Sequence, residues 1–252
     1  MRYAALLASV LLFAGAPARA DQAAPASPRE LIERGDHLYR GRTGPQHVWE
    51  AISLYEQALV ADPRSYDALW RLGRAFSALS GATDKAQRRD YGARGLVYAE
   101  QAMRLAPDRI EGCYYAATSL GLYASGLGVI RAVREHIQKR FLKLIHRAMT
   151  LDPVFDNAAP LMVYGRYFYE LPWPLRDLDQ SLRYLNDARR RGPAKIRTVL
   201  YLADTLLAKG DRDAALRQLE TCVKMDPTRE DAWDGRAMIK ECSQALARER
   251  RK

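Results

Sequence analysis

The chain has 252 residues, of which 48% are hydrophobic and 28% charged, and its formal net charge is +10. It has no strand-like alternation of any length, and no run reaches the about 18 to 20 apolar residues that a bilayer-spanning helix needs. These properties exclude a strand-built or membrane-spanning fold and leave one compact or solenoidal all-helical unit.

Residues 1–20 stand apart. Arg2 supplies a positive start, residues 4–14 an apolar stretch, and Ala18-Arg19-Ala20 a small-x-small cleavage site, the pattern of a secretory signal peptide cut before Asp21. No cysteine lies near the cut, so a lipid anchor is not indicated, and the expected product is exported to the periplasm. Loss of Arg2 and Arg19 leaves a charge of +8, which suits acidic ligands or anionic lipid, while export argues against nucleic acid. The short basic runs Arg88-Arg89, Lys139-Arg140, Arg189-Arg190-Arg191 and residues 248–252 read as solvated faces and a frayed terminus. Residues 21–28 form an Ala-, Pro- and Ser-rich leader. Residues 29–249 carry the fold, and residues 250–252 are a basic tail.

From residue 29 onward the chain resembles itself. Pro63, Pro107, Pro153, Pro193 and Pro227 each close a helical pair, at intervals of 44, 46, 40 and 34 residues. The last pair, residues 195–227, is the shortest. Small or apolar Val199, Leu202, Ala203 and Leu206, then Ala215, Leu219 and Cys222, recur at helical spacing, and Gly210-Asp211 breaks the pattern between them. Five residues before each proline stand Ala58, Ala102, Ala148, Ala188 and Cys222; eight before stand Tyr55, Ala99, Ile145, Leu185 and Leu219. Ten residues after each proline come Gly73, Ala117, Val163, Ala203 and Ala237. Val163 departs from this small column, and Gly165 restores it if the helix of that repeat starts late.

On these columns, together with Leu-Trp-Arg-Leu-Gly at 69–73 and the run AISLYEQAL ahead of Asp62-Pro63, the chain resembles the tetratricopeptide-repeat (TPR) family. The resemblance implies an all-α solenoid of about five hairpins plus a C-terminal capping helix at residues 230–249, with Trp233 and Ala237 facing inward. The residues beyond the 34-residue period fall between the two helices of a hairpin, at 41–46, 80–91, 124–138 and 170–177, and are expected to line one rim as loops. Cys222 and Cys242 are the one plausible pair, but counting helix rise from the turn between them puts them about 15 Å apart. A bridge is not expected; all three cysteines are expected to be small buried apolar residues.

Catalytic patterns are missing. His37, His47, His136 and His146 fall in no metal-ligand spacing, and there is no phosphate-binding glycine loop or nucleophile elbow. The expectation is a non-catalytic binding module without metal or cofactor. In TPR proteins the concave face is made by the first helix of each repeat, which selects Asp67, Trp70 and Arg74; Glu111, Tyr114 and Thr118; Met162, Arg166 and Tyr169; and Arg197, Leu200 and Asp204. Tyr115 and Tyr201 lie at its edge. The aromatic rings and arginines suit an anionic or amphipathic organic ligand, or they pack the superhelix interior. An inner-wall arginine needs a partner; if Asp204 or Glu111 is that partner, the arginines are structural. Pro172 and Pro174 force an extended loop around Trp173, either a lid or partner contact, or a ring folded back over the hairpin end.

Degenerate repeats, long insertions and the Tyr-rich Leu-Pro loop of an exported protein also resemble the T component of TRAP-type (tripartite, ATP-independent periplasmic) transporters. That resemblance implies an accessory that docks a periplasmic substrate-binding protein and handles a small organic ligand, as an oligomer with a pore through each subunit. The other reading is a scaffold that holds peptide segments in its groove during envelope assembly.

Overall fold

The structure, a computed structural model, describes residues 26–81, 83–127, 136–229 and 231–252. The expected signal peptide and most of the leader lie outside the described residues, as does the greater part of the insertion expected at 124–138. Among the described residues there are eleven α-helices and no strand: α1 (Pro28–Arg40), α2 (Pro45–Ala61), α3 (Tyr66–Gly81), α4 (Lys85–Leu105), α5 (Ile110–Ser125), α6 (Ile137–Leu151), α7 (Phe155–Glu170), α8 (Leu178–Arg191), α9 (Ile196–Lys209), α10 (Arg212–Val223) and α11 (Ala232–Arg250), with a 3-10 turn at Pro227–Arg229. Neighbouring helices pair as five hairpins, from α1–α2 to α9–α10, and α11 closes the stack. This is the TPR-like solenoid that the proline register implies.

Local chemistry sets the boundaries. Ser27 and Glu30 form a reciprocal capping box at the start of α1, with Pro28 in the first turn. Asp84, Asp177, Asp211 and Asp231 cap α4, α8, α10 and α11 by accepting from backbone N–H groups of the first turn. Gly210, at φ +85°, supplies the left-handed residue that stops α9. The second helices share one ending: the capping N–H groups of Asp62, Ala106, Asp152 and Gly192 donate to the carbonyls of Ala58, Ala102, Ala148 and Ala188. Those four alanines are fully buried, so the column five residues before each proline is also where each helix is terminated.

The small column works by contact. A Cβ on Gly73 would sit 3.0 Å from that of Ala99, and one on Gly165 2.8 Å from Cγ of Leu185, so these glycines let the two helices of a hairpin close. Gly35, whose Cβ would come 2.5 Å from the ring of Tyr55, fills the same place in the first hairpin. The two-residue delay at Gly165 has a backbone cause. Asp156, Asn157 and Ala158 are left-handed (φ 45°, 56° and 60°), and the regular part of α7 begins only around Pro160.

That left-handed stretch rests on Gly192. A Cβ there would lie 2.0 Å from the carbonyl oxygen of Asn157, a backbone atom that cannot step aside. We expect Gly192→Ala to cost about 3 kcal/mol, read as a lowered urea midpoint at unchanged slope.

Three expectations are corrected. Residues 80–91 do not form a rim loop: α3 runs to Gly81 and α4 starts at Lys85, so the extra residues become helix, and α4 reaches 21 residues. Cys222 and Cys242 are joined in a disulfide with Cα atoms 6.2 Å apart, while Cys113 is free and buried. The helix-rise count assumed that α11 folds back directly from Pro227. Instead the start of α11 overhangs the end of α10, with Gly235 packed on Pro227, and this brings Cys242 level with Cys222. The same shift leaves Ala237 exposed, and Gly235 takes the close contact expected of it.

Candidate functional site

The residue that follows the small column in each repeat forms a file from repeat to repeat: Asp36, Arg74, Thr118, Arg166 and Asp204. Neighbours in the file pair across repeats. Arg74 Nη2 donates to Asp36 Oδ1 at 2.9 Å, and Arg166 Nη1 to Asp204 Oδ2 at 2.7 Å. Uncharged Thr118, whose hydroxyl donates to the carbonyl of Tyr114, separates the two ion pairs.

Around Arg74, Asp36 is the hub. It accepts from Tyr55 OH (2.9 Å), from Arg71 Nε (2.9 Å) and from Arg74. Burial pushes its carboxyl up, but the charges of Arg71 and Arg74 and the hydrogen bonds from Tyr55 and Arg71 outweigh this and hold it below its ordinary value. The Arg74 guanidinium lies 4.0 Å from the ring centre of Tyr39 and 4.9 Å from that of Trp70. Trp70 in turn stacks on Tyr115 (6.0 Å, 8° between planes) and donates from Nε1 to Asp67. Tyr114 and Tyr115 are buried and meet Phe155 edge-on, at 5.3 and 6.4 Å. Burial raises both hydroxyls, that of Tyr115 far above its ordinary value. Met162 is buried in the same central cluster. Tyr114, Tyr115 and Met162 are thus all buried side chains.

The second cluster is more open. Arg166, with a quarter of its side chain exposed, bonds Asp204 and Glu170 and sits between the rings of Tyr169 (4.2 Å) and Tyr201 (4.3 Å). Asp204 is thus a partner of Arg166. Glu111 is not, since it accepts from Tyr66 and Arg109. The guanidinium of Arg176 lies 5.4 Å from the ring of Tyr169 and links it to the loop beyond α7. There Leu175 and Arg176 donate their backbone N–H groups to the carbonyl of Pro172, and Asp177 donates to that of Phe168. This bonded turn carries Pro172, Trp173 and Pro174 outward. Trp173 is 89% exposed, so its ring does not fold back over the hairpin.

Sequence reasoning missed Asp36, Tyr39, Arg42, Arg71, Phe155 and Glu170. Gly35 was the available signal, because the residue after it, Asp36, is the first member of the file. Among the described residues no three His, Cys, Asp or Glu side chains gather as a metal site, and no helix is long and apolar enough to cross a membrane. His146 instead lies 2.9 Å from Tyr164 OH.

Known proteins are similar to this chain in sequence and in fold. A family model described as "Regulator of microtubule dynamics protein 1-3" matches residues 31–173, more than half of the chain. Regulator of microtubule dynamics protein 3 of Bos taurus is 26% identical over 142 residues, 56% of this chain and 29% of that protein. Its counterpart in Rattus norvegicus is 23% identical over the same extent. The chain therefore aligns with under a third of either relative. Among solved structures, a thermophilic TPR protein of Thermus thermophilus superposes with a TM-score of 0.65 at 18% identity, covering 86% of this chain and all of that one. Yeast Tom70 gives 0.53 at 16% identity over 89% of this chain and 41% of its own. At such identities the structures attest the fold alone.

The periplasmic placement expected from the sequence is overturned by these matches. The family model and both relatives are regulators of microtubule dynamics by description, and the cells of the two source organisms have no periplasm. The transporter-accessory resemblance finds no support in them either.

Proposed function

The chain belongs to the regulator of microtubule dynamics protein 1-3 family, and from that membership we propose that it is a non-catalytic protein-interaction scaffold of the TPR type. The regulation named in its relatives would then be exercised by holding a partner protein. We place the partner contact at the Trp173 loop, with Tyr169 and Tyr201 beside it, and Arg166, paired with Asp204 and Glu170, as the structural support between those two rings. The observation that carries this reading is Trp173 itself: a large aromatic ring, 89% exposed, lies in solvent on a hydrogen-bonded turn, and no packing among the described residues uses it. Next to it stand the rings of Tyr169 and Tyr201 held by Arg166, a surface suited to a polypeptide segment with apolar side chains.

Purified tubulin is the probe. Trp173→Ala should leave stability within about 0.5 kcal/mol, because the ring touches little, and should weaken tubulin binding at least about tenfold in a labelled-protein titration. Equal affinity of variant and parent would overturn the placement, and no binding by the parent would overturn tubulin as the partner.

A further inference from the structure

The two ends of the solenoid meet at Arg42. This residue leaves the turn between α1 and α2, and its side chain is only 2% exposed. Its Nη1 donates to the carbonyl of Tyr39 at 2.6 Å and its Nη2 to the carboxylate of Asp231, 189 residues away. Asp234 Oδ2 lies 3.8 Å from the same Nη2. The guanidinium is 3.9 Å from the ring centre of Tyr39 and 5.3 Å from that of Trp233, and Trp233 packs against the core of the first hairpin.

Receptor and occupant differ in kind. Arg42 and Tyr39 are buried and belong to the first hairpin, whereas Asp231 and Asp234 have 26% and 44% of their side chains exposed. The occupant is also an imperfect one. Nε of Arg42 is buried with no hydrogen-bond partner among the described residues, and the Asp231 carboxylate bonds Nη2 alone. A carboxylate arriving in the fork geometry would take Nε and Nη2 together, satisfying the orphan donor and adding a charge-assisted bond.

From this we propose that Arg42, Tyr39 and the surface covered by Trp233 form a recognition site for acidic segments carrying an aromatic residue. Residues 231–234 are its internal placeholder, and the acidic-aromatic segment of a partner protein competes with them for Arg42. Charge and ring are both needed. The carboxylate pairs with the buried guanidinium and the aromatic side chain covers the first hairpin, as Asp231 and Trp233 do within the chain. This site is separate from the Trp173 end and stands or falls independently of it.

The test uses the full chain and a fluorescent peptide with the sequence of residues 226–236. In the parent the placeholder competes. In Asp231→Asn/Trp233→Ala/Asp234→Asn it is removed, while the Asn side-chain oxygen still accepts the first-turn N–H groups that Asp231 caps. The opened variant is expected to bind the peptide at least about tenfold more tightly than the parent. Adding Arg42→Gln, or replacing the peptide's Asp residues by Asn, should abolish that gain, and Trp173→Ala should leave it unchanged. If the triple variant does not fold by circular dichroism, Asp231→Asn/Trp233→Ala, which leaves only the more distant Asp234 in place, carries the same comparison. A folded, opened variant that binds no tighter than the parent, or binding that survives Arg42→Gln, overturns the proposal.

Discussion

Asp36→Ala is expected to cost about 3 kcal/mol of stability, because one carboxylate serves three partly buried donors. Its removal leaves Arg74 without a carboxylate and takes one of the two carboxylates from Arg71, which keeps Asp67, and breaking a buried pair from one side costs about 3 to 5 kcal/mol. The side chains of Asp36, Arg71 and Arg74 keep 16%, 16% and 20% of their exposure, so the low end applies. The pH dependence follows from the depressed carboxyl. A group whose folded value lies below its unfolded one contributes fully above the unfolded value, near 3.8 here, and loses that contribution as pH falls through the folded value. Urea titrations of parent and variant should therefore differ by a constant amount at neutral pH. The gap should close below about pH 4. A gap that stayed constant into strong acid would mean that Asp36 does not anchor the two arginines as an anion.

The repeat register was legible because it rests on sterics that leave a mark at fixed spacing. Ala58, Ala102, Ala148 and Ala188 are small where helices end and touch, and Gly73 and Gly165 are small where the partner helix presses closest. Asp204 could be weighed as the partner of Arg166 because both are counted from prolines that precede them. Asp36 escaped the same count, since no proline of the series comes before the first hairpin. Length arithmetic also cannot tell an inserted loop from an inserted stretch of helix. Residues 85–91 hold no proline and continue the apolar contacts of α4, with Tyr91 packed on Trp49, and the surplus there became helix. At 171–177 two prolines made the surplus a loop. The disulfide was hidden for a different reason. Its formation depends on how far α11 slides along α10, a tertiary offset set by Gly235 on Pro227 and by Arg42 drawing in Asp231, which no local spacing records.

Removing that disulfide is the second large effect expected. The bridge closes a loop of 20 residues, and loss of the chain-entropy constraint on such a loop costs about 3 kcal/mol. In a solenoid, where each unit leans mainly on its neighbours, the cost should fall on α10 and α11 rather than on the whole fold. Hydrogen exchange of Cys222→Ala/Cys242→Ala should accordingly show faster exchange at residues 232–250 and around the α1–α2 turn that they cover, with little change in α3 to α8. Arg250 would still reach Glu220 at 2.7 Å, but such a half-exposed pair is worth no more than about 1 kcal/mol and cannot replace the bridge. Because α11 also carries Asp231 and Trp233 to Arg42, loosening it withdraws the internal occupant from the first hairpin. Reduction of the parent with dithiothreitol should therefore raise its affinity for the 226–236 peptide, and Cys222→Ala/Cys242→Ala should show that raised affinity with or without reductant. If reduction frees α11 by exchange but leaves peptide affinity unchanged, the bridge stabilises the C-terminal hairpin without governing access to Arg42.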